Sequence, residues 1–289
     1  MLQSLPFLLL GVFASALVQQ LLSGQLVARW MPRRPLPAVL LGSLFGLVVP
    51  VCDCGVVPLA RRLTAKGVPV YAGLSFLLAA PVVNPIVLAA TAFAFQGNAA
   101  VVVLRLSMTL SVAIGVGLLA SALFPDTRLA LPGLAAPLPA DLDKDDAFVL
   151  LGRGRLVAVI GQASAELFDI LSFIVLGALF TAGTQTFVPR GELAAIGARP
   201  VASVVGLMPV ASVLSICSEA DAFVARALAT SFSPGAVLAF MVIGQIVDLR
   251  NGALLFRTLG PRLLVLIVTV GYALVLLEGI AINLLVGPP

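Results

Sequence analysis

The sequence predicts an all-α membrane protein built as two inverted repeats, each of three transmembrane helices plus a re-entrant broken helical hairpin. Three observations lead there. Of the 289 residues, 61% are hydrophobic and 10% charged, a balance that soluble domains do not show. Several apolar runs reach the roughly 20 residues a helix needs to cross a bilayer. The same order of features also occurs twice. An offset of 165 residues pairs Cys52 with Cys217, Ala60 with Ala225, Arg61 with Arg226 and Pro69 with Pro234. An offset of 164 then pairs Phe76 with Phe240 and Asn84 with Asp248.

Leu5–Leu22 is the first span; no basic segment precedes Leu5, so a cleaved signal peptide is not expected. Ala38–Val49 and Val56–Leu63 are the limbs of the first hairpin, because 12 residues make only about 18 Å of helix, too short for a hydrocarbon core of about 30 Å. Val70–Phe95 and Val101–Phe124 complete the first repeat, 1–125. Asp126–Arg155 carries nine of the thirty charged residues, and 126–156 reads as a cytoplasmic linker loop. Its cluster Asp141, Asp143, Asp145 and Asp146 reads as a solvated segment. The second repeat, 157–289, holds the span Val157–Val188, the hairpin limbs Val201–Ile216 and Ala222–Ala229, and the spans Gly235–Val247 and Leu263–Val286. The whole chain is thus one polytopic membrane domain.

Charge orients this arrangement. With two hairpins and six spans, thirteen basic residues fall inside and four (Arg105, Arg190, Arg199 and Arg226) fall outside or near it. Eight full spans, the alternative, would erase that bias. The positive-inside rule therefore favours six spans with both termini outside.

Composition excludes several chemistries. There is no histidine, and three cysteines imply no disulfide framework. No Gly-x4-Gly-Lys-Ser/Thr motif occurs, so the chain does not drive itself with ATP. No cofactor is expected, and with no nucleophile–base pair visible neither is an enzyme. A net charge of +4 calls for no nucleic acid, since cytoplasmic loops are basic anyway. The partners expected are the lipid bilayer and a small-molecule or metalloid substrate, with homo-oligomerisation left open.

The polar motifs lie where the apolar runs break. Pro50-Val-Cys-Asp-Cys-Gly-Val-Val-Pro58 puts Cys52, Asp53 and Cys54 on irregular backbone at membrane depth, which is tolerated only where protein or a water-filled cavity satisfies it. Two close thiols favour soft ligands. Ser215-Ile-Cys-Ser-Glu-Ala-Asp221 adds Cys217, Glu219 and Asp221; Ser218 or Asp221 could also cap the following half-helix, and Arg226 could pair with Asp221. Two prolines around Asn84, in Ala80-Pro81-Val-Val-Asn84-Pro85, break the helix and free polar groups. The counterpart stretch offers Gln245 and Asp248. Glu278, in the last span, has no assigned role.

These residues match a family pattern. Cys52-Asp-Cys-Gly-Val-Val-Pro-Leu-Ala60, Lys66-Gly-Val-Pro69, Phe76-Leu-Leu-Ala-Ala-Pro81, Asn84-Pro85, Cys217-Ser-Glu-Ala-Asp-Ala-Phe-Val-Ala225 and Val247-Asp-Leu249 resemble the predicted-permease family that includes bacterial organoarsenical efflux permeases. The likeness covers nearly all of the chain except the central loop. It implies a multi-pass permease of the bacterial cytoplasmic membrane, working in efflux on a soft, thiol-seeking substrate such as trivalent (organo)arsenic. Cys52, Cys54 and Cys217 would hold that substrate, with Asp53 and Asn84 beside it. Glu219, Asp221, Gln245 and Asp248 would line the site or carry a coupling proton. The chain departs from the pattern at Asp53, where arsenical-exporting members resemble Cys-Ser-Cys; the added carboxylate admits cations. A membrane thiol redox protein, or a carrier of metal cations or other small solutes, is the alternative. Thiols one residue apart make a strained disulfide, which weighs against the redox reading.

Overall fold

The computed structural model describes residues 32, 34–49, 56–57, 59–60, 63–64, 67–124, 199–214, 216–248, 252, 255–256 and 260–286. The expected spans Leu5–Leu22 and Val157–Val188, the linker 126–156 and the Cys52-Asp53-Cys54 motif lie outside the described residues. Within them the chain is helical, with no strand. Eight helices are described: α1 (Pro35–Phe45), α2 (Val70–Val83), α3 (Pro85–Ala94), α4 (Ala99–Leu123), α5 (Pro200–Leu214), α6 (Ser218–Leu228), α7 (Pro234–Ile246) and α8 (Pro261–Val286).

Proline sets the helix starts. Five of the eight, α1, α3, α5, α7 and α8, open on proline, whose fixed φ suits the first turn and whose missing N–H is not needed there. Reading apolar runs alone starts these elements one to three residues late, at Ala38, Val201, Gly235 and Leu263. α6 starts earlier than its apolar run because its first turn is polar.

Among the described residues, three segments are long and apolar enough to cross a membrane: Val70–Ala94, Ala99–Leu123 and Pro261–Leu285. The first combines α2 and α3. Pro81 lies within α2 without ending it; the break comes at Asn84, which is extended (φ −63°, ψ 129°). Pro85 disfavours the helical region for the residue before it, and Asn84 Oδ1 accepts from Ile86 N at 2.9 Å to cap α3. A tight turn comes next, with Gln96 at φ 55° and Gly97 at φ 79°, and Asn98 then caps α4 by accepting from Ala100 N at 3.1 Å.

α1, α5 and α7 have 11, 15 and 13 residues. At 1.5 Å per residue these are about 16 to 23 Å long, shorter than the hydrocarbon core. For α1 and α5 this fits the hairpin limbs expected there. The expected full span Gly235–Val247 is likewise a short helix, because the backbone turns extended at Val247 (φ −133°, ψ 96°) as it does at Asn84.

The two stretches pack alike. α1 lies on α2 and α4; α5 lies on α7 and α8. α2 and α7 are buried along nearly their whole length, as helices apolar on every side should be. Small residues set the distances, as is usual between helices in a membrane. A Cβ on Gly42 would come within 2.5 Å of the Ala72 carbonyl oxygen, and one on Gly235 would overlap the Gly279 carbonyl oxygen. Ser75 Oγ donates to Val39 O at 3.1 Å across α1–α2. At the base of α5 and α7, Asn283 of α8 accepts from Gly235 N and donates to Pro200 O, both at 2.8 Å. α4 and α8 meet directly, and α6 packs between α3 and α7.

Candidate functional site

The most polar feature of the described interior is centred on Arg105. It is the seventh residue of α4, about 9 Å along the helix from its start, and is fully buried. A cation at that depth persists only with partners. Nη2 meets Asp221 Oδ2 of α6 at 2.6 Å, and Nη1 donates to Thr91 Oγ1 of α3 at 2.6 Å. The Thr91 hydroxyl donates its own proton to Val87 O at 2.8 Å. Asp221 is 2% exposed, and its Oδ2 also accepts from Gln245 Nε2 of α7 at 2.8 Å. The same amide donates to Ile216 O at 3.2 Å, holding the backbone at the α5–α6 break.

Four helices thus converge on one charge-assisted network: α3 and α4 from before the long central stretch, α6 and α7 from after it. Arg105 Nε and Gln245 Oε1 are buried and have no hydrogen-bond partner among the described residues. Buried polar atoms are nearly always paired, so both stand out within this network.

Of the residues singled out by sequence, Asp221 and Gln245 come together here. Cys217 occupies the N-cap position of α6, extended (φ −64°, ψ 147°) and partly exposed, beside the carbonyl that Gln245 holds. Asn84 is buried, and its side-chain oxygen is spent on capping α3. Asp248 is buried just past the end of α7, three residues beyond Gln245. Glu219 lies in the first turn of α6. Cys52, Asp53 and Cys54 lie outside the described residues, among which no group of three or more His, Cys, Asp or Glu is placed to hold a metal.

Three expectations change. Ser218 is the first helical residue of α6 and not its cap; Cys217 holds the N-cap position. The cation facing Asp221 is Arg105, not Arg226. Residues five apart do not share a helix face, unlike those three or four apart; Arg226 is exposed and lies over the Phe95 ring, 6.0 Å from its centroid. Arg105, which the charge count puts near the outer surface, is an interior ion-pair partner. The signal was present in the sequence as a lone arginine inside an apolar span, which is a functional flag by itself. Thr91 gave no signal.

Fold and site together define a multi-pass helical membrane protein with a charged, hydrogen-bonded centre, the build of a solute carrier rather than of a lipid-facing anchor. The chain belongs to a family described as predicted permease (ArsP_1), whose model matches residues 1–284. It is similar to the UPF0718 protein YcgR of Bacillus subtilis (strain 168), with 36% identity over 273 residues, covering 93% of this chain and 89% of that protein. It is also similar to a putative two-component membrane permease complex subunit of Streptococcus mutans, with 32% identity over 249 residues, 86% of this chain and 81% of that one. No solved structure matches the chain.

Proposed function

We propose that this membrane permease exports a soft, thiol-seeking solute, such as trivalent (organo)arsenic, across the bacterial cytoplasmic membrane. The observation that carries the reading is the position of Cys217. A thiol stands at a helix break inside the membrane domain, with the preceding carbonyl tied through Gln245 to the Arg105–Asp221 pair. Thiolates are the natural ligands of such solutes, and broken helices are where carriers bind substrate. Cys52 and Cys54 occupy the corresponding break of the first repeat by sequence and would complete a three-thiol set, with Asp53 and Asn84 at its edge. Glu219, Asp221, Gln245 and Asp248 would line the same site.

The architecture proposed around this site is a pair of inverted repeats, 1–125 and 157–289, joined by a cytoplasmic linker. Supporting it, α1, α2 and α4 pack among themselves as α5, α7 and α8 do. The similarity to a named complex subunit supports assembly with a second subunit or a second copy.

The test is resistance to methylarsenite and to arsenite in a host lacking its own arsenical exporters. Cys52→Ser, Cys54→Ser and Cys217→Ser should each abolish resistance while the protein remains in the membrane, because serine keeps the size and loses the soft ligand. Wild-type resistance in all three variants would remove the chemical basis of the reading.

A further inference from the structure

Glu278 stands apart from the Arg105 network. It belongs to α8 and contacts Ser111, the middle residue of α4, with twelve helical residues on either side. The contact therefore lies near the midplane of the span. Ser111 Oγ also reaches the Met108 carbonyl, at 2.8 Å. A serine hydroxyl has one proton and two lone pairs. It cannot donate fully to both Met108 O and Glu278 Oε1. If the hydroxyl donates to the carbonyl, which can only accept, then a protonated Glu278 completes the set by donating to Ser111 Oγ.

The surroundings point the same way. Glu278 Oε2 is buried and has no hydrogen-bond partner among the described residues. Of the helices packed on α8, α5 and α7 contain no charged or titratable residue. α4 contains one, Arg105, and it is engaged by Asp221. On α8 itself, Arg262 lies at the far end and the Tyr272 hydroxyl is 2.6 Å from Ser212 Oγ. No described cation faces Glu278. An ionised carboxylate at that depth without a cation is costly; a neutral one is not.

The position also gives a proton leverage. The next residue, Gly279, sits against the Gly235 carbonyl of α7 at close range, so α8 is held by α7 on one side and reaches α4 through Glu278 on the other. We infer that Glu278 and Ser111 form a proton-binding site at the α4–α8 seam, and that its loading and release drive the transport cycle. The inference rests on the permease reading, but its first test does not use a substrate.

That test is infrared titration of the full-length protein in lipid nanodiscs, reading the carbonyl stretch of protonated carboxyl groups. A titrating band should be lost in Glu278→Gln, which keeps the contact with Ser111, and shifted in midpoint in Ser111→Ala. The band should be unchanged in Asp248→Asn. A spectrum identical in wild type and Glu278→Gln overturns the site. The second arm uses methylarsenite in everted vesicles. Glu278→Gln should lose pH-gradient-driven accumulation and keep methylarsenite exchange; gradient-driven accumulation at the wild-type rate overturns the driving role. If the wild-type protein moves no methylarsenite, the substrate reading falls, and the infrared band still decides the proton site.

Discussion

At the residue scale, Arg105 shows how a membrane interior accommodates a full charge. Its guanidinium meets a carboxylate and a hydroxyl, while the carboxylate takes a second bond from an amide. Removing one member of such a buried ion pair leaves the other's charge uncompensated, a loss of about 3–5 kcal/mol, whereas replacing both with apolar residues of similar size is often near neutral. Arg105→Met should therefore lower protein levels and the unfolding midpoint in detergent. Adding Asp221→Leu should restore much of both. If the double variant is no more stable than the single one, the two residues are not coupled. Transport separates fold from function: should the double variant be stable and still pump, the pair is scaffolding and not part of the site.

At the scale of elements, the helix breaks were legible and their partners were not. The prolines around Asn84 announced the α2–α3 break, since a residue before proline leaves the helical region, but not that Asn84 would cap α3. The apolar count at α1 announced a segment too short to cross, and α5 was expected to be short only by analogy with it. What periodicity could not give was contact across long separations. Arg105 lies 116 residues from Asp221, and Ser111 lies 167 from Glu278; local spacing offered Arg226 instead, on the wrong face. Asn84→Ala should cost about 1 kcal/mol through loss of the α3 cap, read as a small drop in unfolding midpoint with transport retained. Gly235→Ala should be far more severe, because the new methyl would strike the Gly279 carbonyl, a backbone atom that cannot swing aside. Loss of the protein from the membrane is the expected readout, and normal levels would mean that α7 and α8 separate easily.

At the scale of the whole molecule, orientation is the quantity to fix. With Arg105 moved to the interior, the basic residues assigned outside fall from four to three (Arg190, Arg199 and Arg226), so the inward bias strengthens. Single cysteines in a cysteine-free background should react with an impermeant maleimide from outside intact cells at Asn98, and at Ala140 only after permeabilisation. Outside labelling at Ala140 would exclude the arrangement of six spans and two hairpins. The clamp at Asn283 bears on something else, the order of assembly. It ties the start of α5 to the start of α7, yet it arrives 83 residues after the carbonyl it holds. While the ribosome is still making α8, the starts of α5 and α7 are not yet tied together. The α5–α7 packing therefore gains this tie only when α8 is made, and a nascent chain stalled before Asn283 lacks it.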